Sequence, residues 1–300
     1  MTVFILDCVG NTPLLQLDRL SNNVPGVKIL AKAEFLNPSG SVKDRAARAM
    51  LLDGIATGAL TRSHRILDAT SGNTGIAFAM FGAVLGYGVT LYLPANCSPE
   101  RKQTMKIFGA EVIETDPMEG SDGAFLAAQA AAQDTDRYFY PNQYNNPANP
   151  RAHYETTGVE IWDQSNGAVT HFIASMGTSG TFMGTARRLK DFNPGITTIA
   201  VQPDSPFHGI EGTKHMASTI KPGFLDFSLA DEIVTISTRE AYAMTRQLAR
   251  EEGLFVGVSA GANVAAAVSL AKTLPQGSVV VTVLCDSGAR YLSEEFWEAE

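Results

Sequence analysis

Residues 65–94 read RILDATSGNTGIAFAMFGAVLGYGVTLYLP, and two very different structures compete for them. From Ala69 to Pro99 no residue is charged. A run of that length suffices to cross a bilayer, for which about 20 apolar residues are enough. Gly72, Asn73, Gly75, Gly82, Gly86, Gly88 and Pro94 interrupt it, however. The stretch divides into a strand RILDAT, an apolar helix from Asn73 to Leu85 and a second strand VTLYL, which together read as a buried strand, helix, strand unit.

The same alternation runs outward from there. A helix is expected at 99–108, a strand at EVIET, a helix around 124–132 and a short strand at YFYP. The polar passage PNQYNNPANPR at 141–151 reads as a loop, because Pro and Asn clusters punctuate structure, and it is the expected crossing between two sheets. A second series follows: a helix at 154–163, THFIAS, a Gly-rich turn at 177–180, a helix to 191 and the strand TTIAVQP. After a loop-rich stretch at 204–231 come EIVTIS, helices at 239–252 and 261–274, and VVVTVLC. Short apolar runs alternating with helices predict an α/β fold with mostly parallel sheet. No internal repeat is visible, which excludes a solenoid.

With 300 residues, one large or two closely packed domains are expected. The formal charge of −8, without a basic run, argues against nucleic acid or an anionic membrane as the main partner and favours small molecules. Cys8, Cys97 and Cys285 lack a C-x-x-C pair and read as buried small hydrophobes, so no metal site is expected. Without a disulfide framework or a signal peptide, a reducing cytoplasm is the expected setting.

Three turns place small residues between an apolar strand and a helix, where such sheets bind ligands. In GTSGT, Gly177 and Gly180 let the backbone approach an anion, and Thr178, Ser179 and Thr181 add hydroxyls at a helix N-terminus. That suits a phosphate, though Gly and Thr also serve as plain caps. In TSGNTG, Thr70, Ser71, Gly72, Asn73 and Thr74 offer hydroxyl, amide and backbone donors suited to a carboxylate or a ring hydroxyl. GVSAG at 257–261 matches the G-x-S-x-G elbow of hydrolases, but all five histidines precede Ser259, whereas such enzymes need one after it. The fourth piece is Lys43 in NPSGSVKDRAA (37–47). A lone lysine on a first helical turn is ordinarily a solvated charge. A lysine together with a phosphate cradle and a carboxylate cradle describes a pyridoxal 5′-phosphate site.

GNTPL, NPSGSVKDR, TSGNTGIA, NQYNNPANP, GTSGTFMG, GVSAGA and SGARYLS occur in an order that resembles the cysteine synthase (O-acetylserine sulfhydrylase) and cystathionine β-synthase family of fold type II pyridoxal-phosphate enzymes. DATSGNTG and CDSGARYLS look closest to the B-type cysteine synthases. The resemblance implies two open, twisted, mostly parallel sheets with flanking helices. It also implies a smaller mobile domain at 42–147 with the carboxylate loop, and a larger one from 1–41 and 148–300 with the phosphate loop and Ser259. Lys43 would bind the cofactor as an imine and shuttle the Cα proton, and Asn73 would bond its 3′ oxygen. Gly177, Thr178, Ser179, Gly180 and Thr181 would hold the phosphate, while Ser259 would face the pyridine nitrogen. Thr70, Ser71, Gly72, Thr74 and Gln143 would receive the substrate carboxylate.

The implied reaction is β-replacement: O-acetyl-L-serine loses acetate to give an α-aminoacrylate, and sulfide or another sulfur donor adds to form L-cysteine. O-phosphoserine sulfhydrylase and cystathionine β-synthase chemistry are the alternatives, with His208, Glu211, Lys214 and His215 as candidate readers of the second substrate. A non-catalytic, family-like binding protein is the alternative of a different class. A homodimer is expected by analogy. With GNTPL at residue 10 and the end at Glu300, neither a haem-binding extension nor a C-terminal regulatory domain is expected.

Overall fold

The computed structural model describes residues 4–70 and 72–298. The chain begins with β1 (Leu14–Gln16), a one-turn helix α1 (Asp18–Ser21) and β2 (Lys28–Ala33), and then enters α2 (Lys43–Thr57). Next come β3 (Arg65–Ala69), α3 (Asn73–Leu85), β4 (Val89–Pro94), α4 (Pro99–Ile107), β5 (Glu111–Thr115), α5 (Gly120–Ala131) and β6 (Tyr138–Phe139). These four strands form one sheet in the order β5-β4-β3-β6, parallel throughout.

Helix α6 (Ala148–Ala152), a π-helical segment at His153–Thr157 and α7 (Gly158–Gln164) carry the chain back to the N-terminal strands. There β7 (His171–Ser175), α8 (Gly180–Phe192), β8 (Thr197–Pro203), β9 (Glu232–Ile236), α9 (Thr238–Glu251), α10 (Val258–Ala271) and β10 (Val279–Leu284) complete the fold. The second sheet has the order β1-β2-β10-β7-β8-β9, with only β1 antiparallel. Central parallel strands are covered on both faces and therefore read as unbroken apolar runs. In VVVTVL of β10 all six residues are buried.

Each sheet has its own core. Ile29, Val256 and Leu284 lie in the core on one side of the larger sheet, and Phe172, Phe182 and Leu189 in the core on the other. Met50, Phe78, Phe81 and Leu91 fill the core of the smaller sheet. Among the described residues no helix is long and apolar enough to cross a membrane, and 65–94 forms the strand, helix, strand unit expected of it.

The structure departs from the sequence reading in four places. Strands β1 and β2 were not anticipated: KILAKA hides its period because Lys32 is fully buried within an ion network. The passage at 141–151 is loop only as far as Pro147, since helix α6 starts at Ala148. Helix α10 starts at Val258, so Ser259 sits in its first turn and not in the turn before it. Cys8 is exposed in a 3-10 turn near the N-terminus, whereas Cys97 and Cys285 are partly buried.

Candidate active site

The loops that follow β3, β7 and β10 converge at the carboxyl ends of their strands, the usual ligand crevice of open parallel sheets. Two adjoining cavities lie there. The inner one, about 30 Å³, is lined by Lys43, Asn73, Gly177, Thr178, Ser179, Thr181, Ser259 and Cys285. The outer one, about 140 Å³, shares Lys43, Asn73, Gly177 and Thr178 and adds Thr70, Gly72, Thr74 and Gln143. Lys43 therefore stands at the junction of the expected phosphate and carboxylate cradles.

The turn after β7 is built for close approach. A side chain on Gly177 would run into the Gly212 carbonyl, and one on Gly180 into the Asn149 amide, so only glycine fits both positions. Ser179 caps α8 with a left-handed backbone (φ 67°). Its hydroxyl is buried without a partner among the described residues. An orphaned hydroxyl at the N-terminus of a thirteen-residue helix is what an anion cradle requires. The pieces present thus fit the phosphate of pyridoxal phosphate. Thr178 Oγ1 accepts from Asn149 Nδ2 at 3.1 Å, and Thr181 Oγ1 lies 3.3 Å from His153 Nε2. Burial, followed by the Arg45 charge, holds the His153 imidazole down at about 3, so this ring is neutral at pH 7.

Lys43 is aimed by its neighbours. It is half-buried as the first residue of α2, and its backbone N–H lies 3.3 Å from Ser41 Oγ. Next to it Asp44 accepts the Ser39 N–H at 2.6 Å, and burial pushes its carboxyl up to about 6. Arg45 forks onto Glu34 (2.8 and 2.7 Å) and Glu160 (2.6 and 2.7 Å), and Lys32 meets Glu160 at 2.6 Å. This buried quartet ties the start of α2 to β2 and α7. Burial alone would raise the Glu160 carboxyl, but Arg45 and Lys32 outweigh it and bring the group to about 2.

Asn73 opens α3 and spans the two cradles: its Nδ2 donates to Asp286 Oδ2 at 2.7 Å, and its Oδ1 accepts from Arg290. Thr74 Oγ1 donates to Gln143 Oε1 at 2.9 Å, while Gln143 Nε2 donates to Asp68 Oδ2 (2.8 Å) and the Ala69 carbonyl (3.2 Å). Both amide hydrogens of Gln143 are thus engaged in this conformation. Thr70 Oγ1 accepts the Gly72 and Gly75 N–H groups at 3.3 and 3.2 Å, acting as the inner cap of α3. Ser71 lies outside the described residues.

Ser259 is buried, and among the described residues no histidine lines its cavity, which removes the hydrolase reading. The last glycine of GVSAG has a packing reason instead, because a side chain on Gly261 would strike the Ala241 carbonyl and Thr245 of α9. Cys285 lines the same cavity, its thiol pushed up to about 11 by burial.

Asp68, Asn149, Asp286 and Arg290 surround the site and carry no assigned role in the sequence. The motifs DATSGNTG, NQYNNPANP and CDSGARYLS contain all four, so the signal is the company they keep. Arg101 pairs with Glu211, faces Gly72 and stacks over the Tyr291 ring at 4.7 Å. His208, Glu211, Lys214 and His215 do come together, lining a third cavity of about 470 Å³ that shares Arg101, Glu211 and Lys214 with the outer one.

Two mostly parallel sheets with flanking helices, and a lysine where two adjoining cavities meet, are the architecture of the fold type II pyridoxal-phosphate enzymes. The sequence model of the pyridoxal-phosphate dependent enzymes matches residues 5–286, and the chain belongs to that family, among its cysteine synthases. It is 50% identical over 295 residues to a cysteine synthase of Aquifex aeolicus, covering 96% of this chain and 90% of that protein. To cysteine synthase B of Salmonella typhimurium it is 42% identical over 285 residues, 95% of this chain and 93% of the relative. The crystal structure of an O-acetylserine dependent cystathionine β-synthase from Helicobacter pylori superposes with a TM-score of 0.91 at 38% identity, covering 99% of this chain and all of the other (100%).

Proposed function

We propose that the protein makes L-cysteine by β-replacement, exchanging the acetate of O-acetyl-L-serine for sulfide. The observation that carries this reading is the position of Lys43, whose residue lines both the phosphate-type cavity and the carboxylate-type cavity. Pyridoxal phosphate would be held by Lys43 through its amine, by Gly177, Thr178, Ser179, Gly180 and Thr181 at the phosphate, by Asn73 at the ring oxygen and by Ser259 at the ring nitrogen. When bound, it supplies an electron sink next to the substrate Cα.

The chain's own residues do the rest. Thr70, Gly72, Thr74 and Gln143, with Ser71, receive the substrate carboxylate. The Thr74 hydroxyl already holds Gln143, and letting Asp68 or Ala69 go would free a Gln143 N–H for that carboxylate. Lys43, its amine freed for acid–base work, would take the Cα proton as acetate leaves and return it once sulfur has added at Cβ. Ser259 is a neutral hydroxyl and does not force a proton onto the ring nitrogen, which favours expelling a β-substituent over storing a carbanion. Residues 42–147 act as the smaller, mobile unit and 1–41 with 148–300 as the larger one. The separate cores of the two sheets support that division.

The test is a donor and nucleophile screen. O-acetylserine is expected to give a higher kcat/KM than O-phosphoserine, and an equal or higher value for O-phosphoserine would defeat the choice of donor. Lys43→Ala should abolish turnover and the cofactor's lysine-bound visible band. The 470 Å³ cavity next to the site favours one second reading, a larger thiol such as homocysteine as nucleophile; turnover with homocysteine exceeding that with sulfide would establish it.

A further inference from the structure

SGARYLS stood out in the sequence without a task, and the structure gives its arginine and the preceding aspartate one. Arg290 is 8% exposed and donates to Asn73 Oδ1 and to the Ser39 carbonyl, in the loop that leads to Lys43. Asp286 is fully buried, and its Oδ2 accepts from Asn73 Nδ2 at 2.7 Å and from the Tyr291 hydroxyl at 2.8 Å. Asn73 is thus gripped by a group that only donates and a group that only accepts.

An asparagine amide carries one acceptor and two donor hydrogens, and either orientation usually satisfies a mixed environment. Here the flipped orientation would set the amide N–H₂ against a guanidinium and the carbonyl against a carboxylate. Only one orientation survives, and among the described residues it leaves one N–H of Asn73 uncommitted beside the cavities it lines. We infer that Asp286 and Arg290 are positioning residues that force Asn73 to present a hydrogen-bond donor to the bound ring, selecting a ligand that offers an acceptor, such as an ionised ring oxygen. Because Arg290 also holds Ser39, the same pair couples that amide to the segment carrying Lys43.

The inference rests on the proposed contact between Asn73 and the cofactor ring, and the test separates the two. Pyridoxal phosphate is added back to stripped Asp286→Asn and Arg290→Gln proteins, each of which loosens one side of the grip, and to the protein carrying both, whose new amides donate and accept alike and so permit either orientation. The lysine-bound visible band should move, and the Kd for pyridoxal phosphate should rise about tenfold. In an Asn73→Ala background neither substitution should alter Kd by more than about twofold, since its effect passes through Asn73. Undiminished effects in that background, or no effect with Asn73 intact, would overturn the clamp. So would an Asp286→Asn apoprotein that fails to melt cooperatively, because the carboxylate would then be structural. If Asn73→Ala itself retains the wild-type band and Kd, the ring contact fails and takes the clamp with it.

Discussion

His153 shows how one buried side chain sets a pH limit. It is 1% exposed, with Nδ1 2.9 Å from Thr157 Oγ1, and its imidazole is held at about 3 in the folded chain. An unfolded histidine titrates near 6.5, so between about 3 and 6.5 the unfolded state binds more protons and stability drops as the pH is lowered. Above pH 7 nothing is lost in this way, and by pH 3 the loss amounts to on the order of 4 kcal/mol. Urea unfolding of the apoprotein from pH 7.5 to 4.5 should show that slope, and His153→Gln should flatten it. An unchanged slope in the variant would place the acid sensitivity elsewhere.

At the scale of elements, the helix that bears Lys43 is held by charge rather than by an end cap. Val42 at its N-terminus makes no side-chain cap, and Arg45 fastens the first turn to Glu34 and Glu160. The Arg45 side chain is 2% exposed. Removing one partner of a buried ion network strands the others, at a cost of about 3–5 kcal/mol. Arg45→Met should therefore lose roughly that much by urea unfolding. Substituting Met at the exposed, amphipathic α9 position Arg239 should cost about 0.5 kcal/mol or less. Helix α9, with its Ser237 and Glu240 capping box, needs no such network.

Across the whole molecule, two ion pairs bridge the mouth of the site from the smaller sheet's helices to the 204–231 loop. Arg101 of α4 meets Glu211, and Lys214 lies 3.6 Å from Asp122 of α5 and 5.1 Å from the Tyr144 ring centre. Asp122 is half exposed, so the second pair adds little to stability, below about 1 kcal/mol. Its effect should appear in opening. Asp122→Asn is expected to leave the melting temperature nearly unchanged while speeding amide hydrogen exchange at 213–219, measured by mass spectrometry. Exchange equal to wild type would mean that Lys214 is held by its other neighbours.

The chain by itself determined the architecture and pointed to most of the residues of the candidate site. Apolar runs such as VVVTVL and VTLYLP must be buried on both faces, and the Gly and hydroxyl turns after RILDA and HFIAS admit few chemistries. Lys43 became legible through its company, the two cradles and Ser259, rather than through its own surroundings. Hidden from sequence were the features made by long-range charge: Lys32 inside a strand, Arg101 against Glu211, and Asn73 between Asp286 and Arg290, 213 and 217 residues away. Local pattern encodes which face of an element is buried, because backbone periodicity is local. Which charges meet inside is decided by the packing of the two sheets, since a buried charge is tolerated only where the fold delivers its partner.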